Sequence, residues 1–200
     1  ALPVVVPVGE ATAVALLAWQ VVVAGALTLA LGGWAPGLGI ALRADGLAVA
    51  LLAMCALVAM AISIYASAYF ETAQQRERFW PLWLMLLTAL NALFLSGDVF
   101  NIYVMGLSAV ALGALSGTRD ALVAAMRYLM VGLIGSMTFL AGVVILYAAY
   151  GTLDIVTLGA RVADEPAGWI ALTLMTAGLL IKSALYPLHF WLPPSHASAP

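Results

Sequence analysis

With 200 residues, 66% of them hydrophobic and 8% charged, the chain lacks the polar surface of a soluble domain, in which charged residues approach a quarter. Seven basic and nine acidic residues, a net charge of −2 and no basic cluster exclude a nucleic-acid-binding protein. The single cysteine, Cys55, excludes an intrachain disulfide and a cysteine-built zinc or iron–sulfur cage, and is expected to pack as a small apolar residue.

A bilayer-crossing helix needs roughly 20 mostly apolar residues, so the charges divide the chain into spans. Six are predicted, near 14–31, 46–70, 80–96, 100–115, 121–150 and 168–192. They form one all-α membrane domain over 1–200, because alternation over about ten residues, the mark of a transmembrane strand, is absent. The opening ALPVVVPVGE lacks the basic start of a secretory signal. Arg76, Arg78, Arg119 and Arg127 gather on one side and Arg43 and Arg161 on the other, so the links 71–79 and 116–120 are expected to be cytoplasmic. Trp34, Trp80 and Trp191 are expected at membrane interfaces.

An ionisable side chain at the centre of a span costs about 2.5–3.5 kcal/mol on insertion scales, so such residues mark candidate sites. Lys182 is the strongest, with fourteen residues of its span before it and no other formal charge in GWIALTLMTAGLLIKSALYPLHFWL. Desolvation disfavours the charged form of an amine, which lets a lysine at depth load and release a proton as its surroundings change. Helical spacing places Tyr186 and His189 on the same face, at i+4 and i+7, as a hydroxyl and an imidazole that continue a relay. Pro187 lacks an amide hydrogen and clashes with the carbonyl of Ser183, so a kink is predicted one turn after the lysine. Irregular backbone at membrane depth is tolerated against protein or a wet cavity. The competing reading is a snorkelling lysine with an interfacial histidine.

Asp98 reads either as an acidic group at an ion entrance or as a helix N-cap. Arg127 reads either as reaching the interface or as a counter-charge in a relay. Thr88, Asn91, Asn101 and Ser136 read as interhelical hydrogen-bonding groups or as a wet lining. Glu10, in VPVGEATAV, lies in a loop or a helix start and receives no role. No Ser/His/Asp set, Gly-rich phosphate loop or metal-ligand cluster is visible, so no covalent chemistry, cofactor or bound metal is expected of this chain.

Four ordered segments, LGGWAPGLGIALRADGLAV, RERFWPLWLMLLTALNALFLSGDVFNIYV, YLMVGLIGSMTFLAGVVILYAAYGTLDI and LLIKSALYPLHFWLPPSHASAP, resemble the N-terminal half of the proton-conducting antiporter-like membrane subunits. The Mrp-type sodium/proton antiporter, membrane-bound hydrogenases and respiratory complex I share this family, and the D subunit of the Mrp antiporter is the nearest match. The resemblance implies part of a bundle of about fourteen helices with inverted repeats and broken helices near mid-membrane. Lys182 matches the family's central lysine, with Ser183, Pro187 and His189 in the motif that follows. Asp98 and Asn101 match the family's aspartate and asparagine before the fifth helix, and Arg127 matches a basic position in the sixth.

Three departures accompany the match. The family's fifth-helix glutamate, which partners the lysine, has no counterpart where DVFNIYV runs into MGLSAVALGALSG, as though about one helical turn had been left out. Only thirty residues precede the LGGW-like segment, and the family's second repeat is not represented before Pro200. The implied function is a proton- or cation-translocating subunit of a multisubunit complex in a bacterial or archaeal cell membrane. Its expected partners are other membrane subunits, lipid, and protons or sodium ions, and the family also includes redox-driven pumps to which such a chain could belong. The alternative is a degenerate antiporter-like scaffold of a respiratory or hydrogenase-type complex without an ion path.

Overall fold

The computed structural model describes residues 2–31, 40–104, 118–162 and 165–197. Helix α1 (Leu2–Ala24) stops where Gly25 takes a φ of +81°, a left-handed turn that glycine adopts without a Cβ clash. Strand β1 (Leu27–Ala30) then pairs antiparallel with β2 (Ala41–Ala44), Leu27 facing Ala44 and Ala30 facing Ala41. Two expectations are corrected here. The first span lies earlier than 14–31, and the described fold is not purely helical. Four-residue strands carry too little periodicity to be told from a continuing hydrophobic span. The segment 32–39, with Trp34 and most of the LGGW-like motif, lies outside the described residues.

Helix α2 (Gly46–Tyr69) matches the expected 46–70 span and is capped by Asp45, whose carboxylate accepts from the backbone N–H groups of Leu47 and Ala48 at 3.1 and 3.0 Å. Helix α3 (Ala73–Phe94) starts well before the expected 80–96, because Thr72 accepts from the Gln75 amide at 3.3 Å and absorbs the polar AQQRERF run into the first turns. Helix α4 (Val99–Val104) opens the expected 100–115 span; residues 105–117, where the resemblance implies a glutamate, lie outside the described residues. Helix α5 (Arg119–Tyr150) begins at a Thr118 cap and ends at Gly151, with φ +67°.

The link after α5 contains a short helix, α6 (Ile155–Arg161), because Asp154 accepts from both the amide (2.8 Å) and the hydroxyl (2.6 Å) of Thr157. Helix α7 (Pro166–Lys182) covers only the first part of the expected 168–192 span, and α8 (Leu192–Ala197) follows an irregular stretch. Three helices, Val5–Ala24, Gly46–Tyr69 and Arg119–Tyr150, are long and apolar enough to cross a membrane, and Pro166–Lys182 is a shorter apolar helix. Large apolar side chains such as Trp19, Val22, Leu57, Ile134 and Trp169 are exposed, as a lipid-facing surface requires.

Two packed groups result. In the first, α2 and α3 bury Cys55, Ala59, Phe79, Trp83 and Leu87, and the Trp83 indole donates to the buried Ser63 hydroxyl at 3.1 Å. In the second, α5 and α7 run antiparallel in close contact around Phe139, Val143, Leu146 and Ala171. A Cβ on Gly178 would fall 2.5 Å from the Gly135 carbonyl oxygen, and one on Gly142 would fall 2.6 Å from the Ala171 carbonyl oxygen. Only glycine allows this approach. The stretch 95–99 joins the groups: Arg43 N–H donates to Leu95 O and Gly97 N–H to Ala41 O, while Val99 N–H donates to Leu153 O and Ile155 N–H to Gly97 O.

Candidate functional site at the end of helix α7

The helix breaks at Lys182 itself, not one turn later as the proline alone predicts. Ser183 is the C-cap and Ala184 adopts a left-handed φ of 52°. The Ala184 N–H donates to Ile181 O and the Leu185 N–H to Leu180 O, both at 3.3 Å, which is the paired closure of a Schellman ending. Alanine occupies the position where glycine is usual, at a cost of about 1–2 kcal/mol. The Ser183 hydroxyl donates to the Leu180 carbonyl at 3.3 Å. These bonds pair part of the backbone that the helix end leaves open.

Trp191 closes the far side of the irregular stretch. It is 5% exposed, packs its ring tilted against Tyr128 of α5 with centroids 4.9 Å apart, and donates its indole N–H to Ile181 O at 3.2 Å. The sequence places this tryptophan at a membrane interface; in the structure it is buried against α5.

Lys182 is half-buried, and among the described residues its amine makes no hydrogen bond or ion pair. Tyr186 and His189 do not follow it on one helical face, since the helix has ended before i+4. They are exposed and lie against each other with ring centroids 5.6 Å apart. Pro187 lies between the two in the chain, in the irregular stretch beyond the break.

Asp98 is buried, directly before α4, and its backbone pairs with Asp154, four residues past the end of α5. Lys182 lies instead beside Ile181, which packs near Gly135. From Gly135 to Tyr150 is roughly 22 Å along α5, so the fold does not bring Asp98 to the lysine. Asn101 lies in α4, with its side chain outside the described residues. Arg127 is exposed on α5, one residue before the Tyr128 that meets Trp191. Among the described residues no group of three or more His, Cys, Asp or Glu side chains could hold a metal ion.

Glu10, which the sequence leaves without a role, lies within α1 and accepts from the Asn91 amide at 2.7 Å. A span read as starting at residue 14 hides this pairing.

Known proteins are similar to this chain in sequence and fold. The chain is 39% identical over 177 residues to the N subunit of NADH-quinone oxidoreductase from Desulforudis audaxviator, covering 84% of this chain and 35% of that protein. It is 29% identical to the D subunit of the Na(+)/H(+) antiporter from Alkalihalophilus pseudofirmus, covering 88% of this chain and 37% of that one. It superposes with a TM-score of 0.89 and 30% identity on a chain of the membrane-bound sulfane sulfur reductase, an archaeal respiratory membrane complex, covering 99% of this chain and 42% of that one. The chain thus spans between a third and two-fifths of the length of the curated relatives it matches. Residues 95–200, more than half of the chain, match the model of the transmembrane domain of NADH:quinone oxidoreductase and the Mrp antiporter. The chain is an integral membrane protein and belongs to that NADH:quinone oxidoreductase/Mrp antiporter family.

Proposed function

We propose that this chain is the proton- or cation-translocating part of a subunit in a multisubunit membrane complex, of the Mrp cation/proton antiporter type, with Lys182 as its switchable proton site. The observation that carries this reading is the end of α7 at Lys182, where a half-buried amine meets a closed helix terminus and irregular backbone. The name of one relative, a Na(+)/H(+) antiporter subunit, supports the same activity. An opposite charge brought near a desolvated amine favours its proton, and its withdrawal releases that proton. His189, stacked on Tyr186, would take the proton beyond the break.

Ser183 caps the break, Pro187 keeps the helix from resuming beyond it, Arg127 acts as a counter-charge along α5, and Asp98 with Asn101 organises the start of α4. The acid that loads Lys182 comes from a neighbouring subunit or through water, since Asp98 lies at the other end of α5. The chain crosses a bacterial or archaeal cell membrane six times, with the 71–79 and 116–120 links on the cytoplasmic side.

A scaffold without its own ion path is the second reading, favoured by the lack of an acidic partner for Lys182 among the described residues. Vesicles containing the assembled complex separate the two. Lys182→Ala should abolish ion translocation while the subunits still copurify; unchanged translocation would leave only the scaffold.

A further inference from the structure

A second polar site lies between α1 and α3, in the other packed group. Glu10 is within the apolar span Val5–Ala24 and lines a cavity of about 440 Å³ together with Thr88, Asn91, Val14, Leu52 and Leu87. The Asn91 side-chain N–H donates to Glu10 Oε1 at 2.7 Å, and the Asn91 Oδ1 atom is buried with no donor among the described groups. The Thr88 hydroxyl is committed to the Leu84 carbonyl at 2.8 Å. A charged Glu10 offers acceptors only, so it leaves the buried Asn91 Oδ1 without a donor in this pair. A neutral carboxyl has the missing donor: an acid and a primary amide are complementary, N–H to carboxyl oxygen and O–H to amide oxygen.

We propose that Glu10 and Asn91 form a proton-binding site, separate from Lys182, in which Glu10 holds one proton as a neutral carboxyl–amide pair. From α2 the cavity receives Leu52, and the titratable Cys55, three residues on, is buried in the α2–α3 core. From α3 the cavity receives only Thr88 and Asn91 as polar side chains, and neither titrates. The inference does not depend on whether Lys182 moves protons.

Dicyclohexylcarbodiimide, an apolar reagent that attacks protonated carboxyls, tests this on membranes containing the full complex, with the modified peptide identified by mass. Glu10 should be labelled, less so as pH rises, and equally with or without sodium chloride at constant pH. Glu10→Gln presents an amide with the same donor and acceptor, so the complex should assemble and the label should vanish. No label on Glu10 in membranes, when the detergent-unfolded chain is labelled there, would overturn the proposal. Protection by sodium chloride at fixed pH would overturn it too, by making a metal cation the occupant.

Discussion

The indole N–H of Trp191 donates to the carbonyl oxygen of Ile181 at 3.2 Å, across the irregular stretch that follows Lys182. Ile181 O also receives the Ala184 N–H, so the last turn of α7 is held by its own backbone and by a side chain ten residues on. This contact ties the two sides of the break together and to Tyr128 of α5.

Trp191→Phe keeps an aromatic ring against Tyr128 and removes the donor. It should lower the stability of the complex by about 1 kcal/mol, the usual worth of one hydrogen bond. Thermal unfolding of the purified complex reads the loss; an unchanged midpoint would mean the indole contact contributes nothing.

Ala184→Gly relieves the left-handed strain at φ 52°. The expected gain is about 1 kcal/mol, the L-residue penalty reduced by glycine's greater freedom in the unfolded chain. A raised unfolding midpoint is the predicted result. A lowered one would show that this stretch is not the closed turn described.

Gly178→Ala should be the most damaging small substitution, because its Cβ meets the Gly135 carbonyl at 2.5 Å and the Phe139 amide nitrogen at 2.8 Å. Backbone on both sides cannot rotate away, so α5 and α7 must separate, a cost of about 1–3 kcal/mol. Gly132→Ala, with open space around its Cβ, is the control and should be neutral. Yield and unfolding midpoint of the two variants check the pair.

Asp45 sits outside the spans, where the Ala48 N–H, and then the Arg43 guanidinium at 3.3 Å, hold its carboxyl below the ordinary carboxylate range against an opposing effect of partial burial. A folded-state value below the unfolded one means the cap's contribution is present above the unfolded value, about 3.9, and is lost as pH falls through the folded value. Stability of the wild type should therefore fall in that acidic window, and Asp45→Asn should flatten this part of the profile.

Helix positions set by long apolar runs are legible from sequence: α2 and α5 lie within two residues of expectation, since only helices hide so much backbone in lipid. Ends set by specific hydrogen bonds are not. Thr72 extends α3 into charged sequence, Gly25 redirects the chain into β1, and Ala184 closes α7 early. Lys182 stands out because a lone cation in an apolar run is conspicuous. The Glu10–Asn91 pair does not, because its members are far apart in the chain and meet only when α1 packs near α3.

The switchable character of Lys182 is tested most directly by comparing Lys182→Arg with Lys182→Met in proton-translocation assays on vesicles bearing the assembled complex. Arginine keeps the charge and does not give up its proton, whereas methionine removes the charge altogether. A site that must load and release predicts that both variants assemble and neither translocates. Translocation by Lys182→Arg at the wild-type rate would contradict the account, since a fixed charge would then suffice.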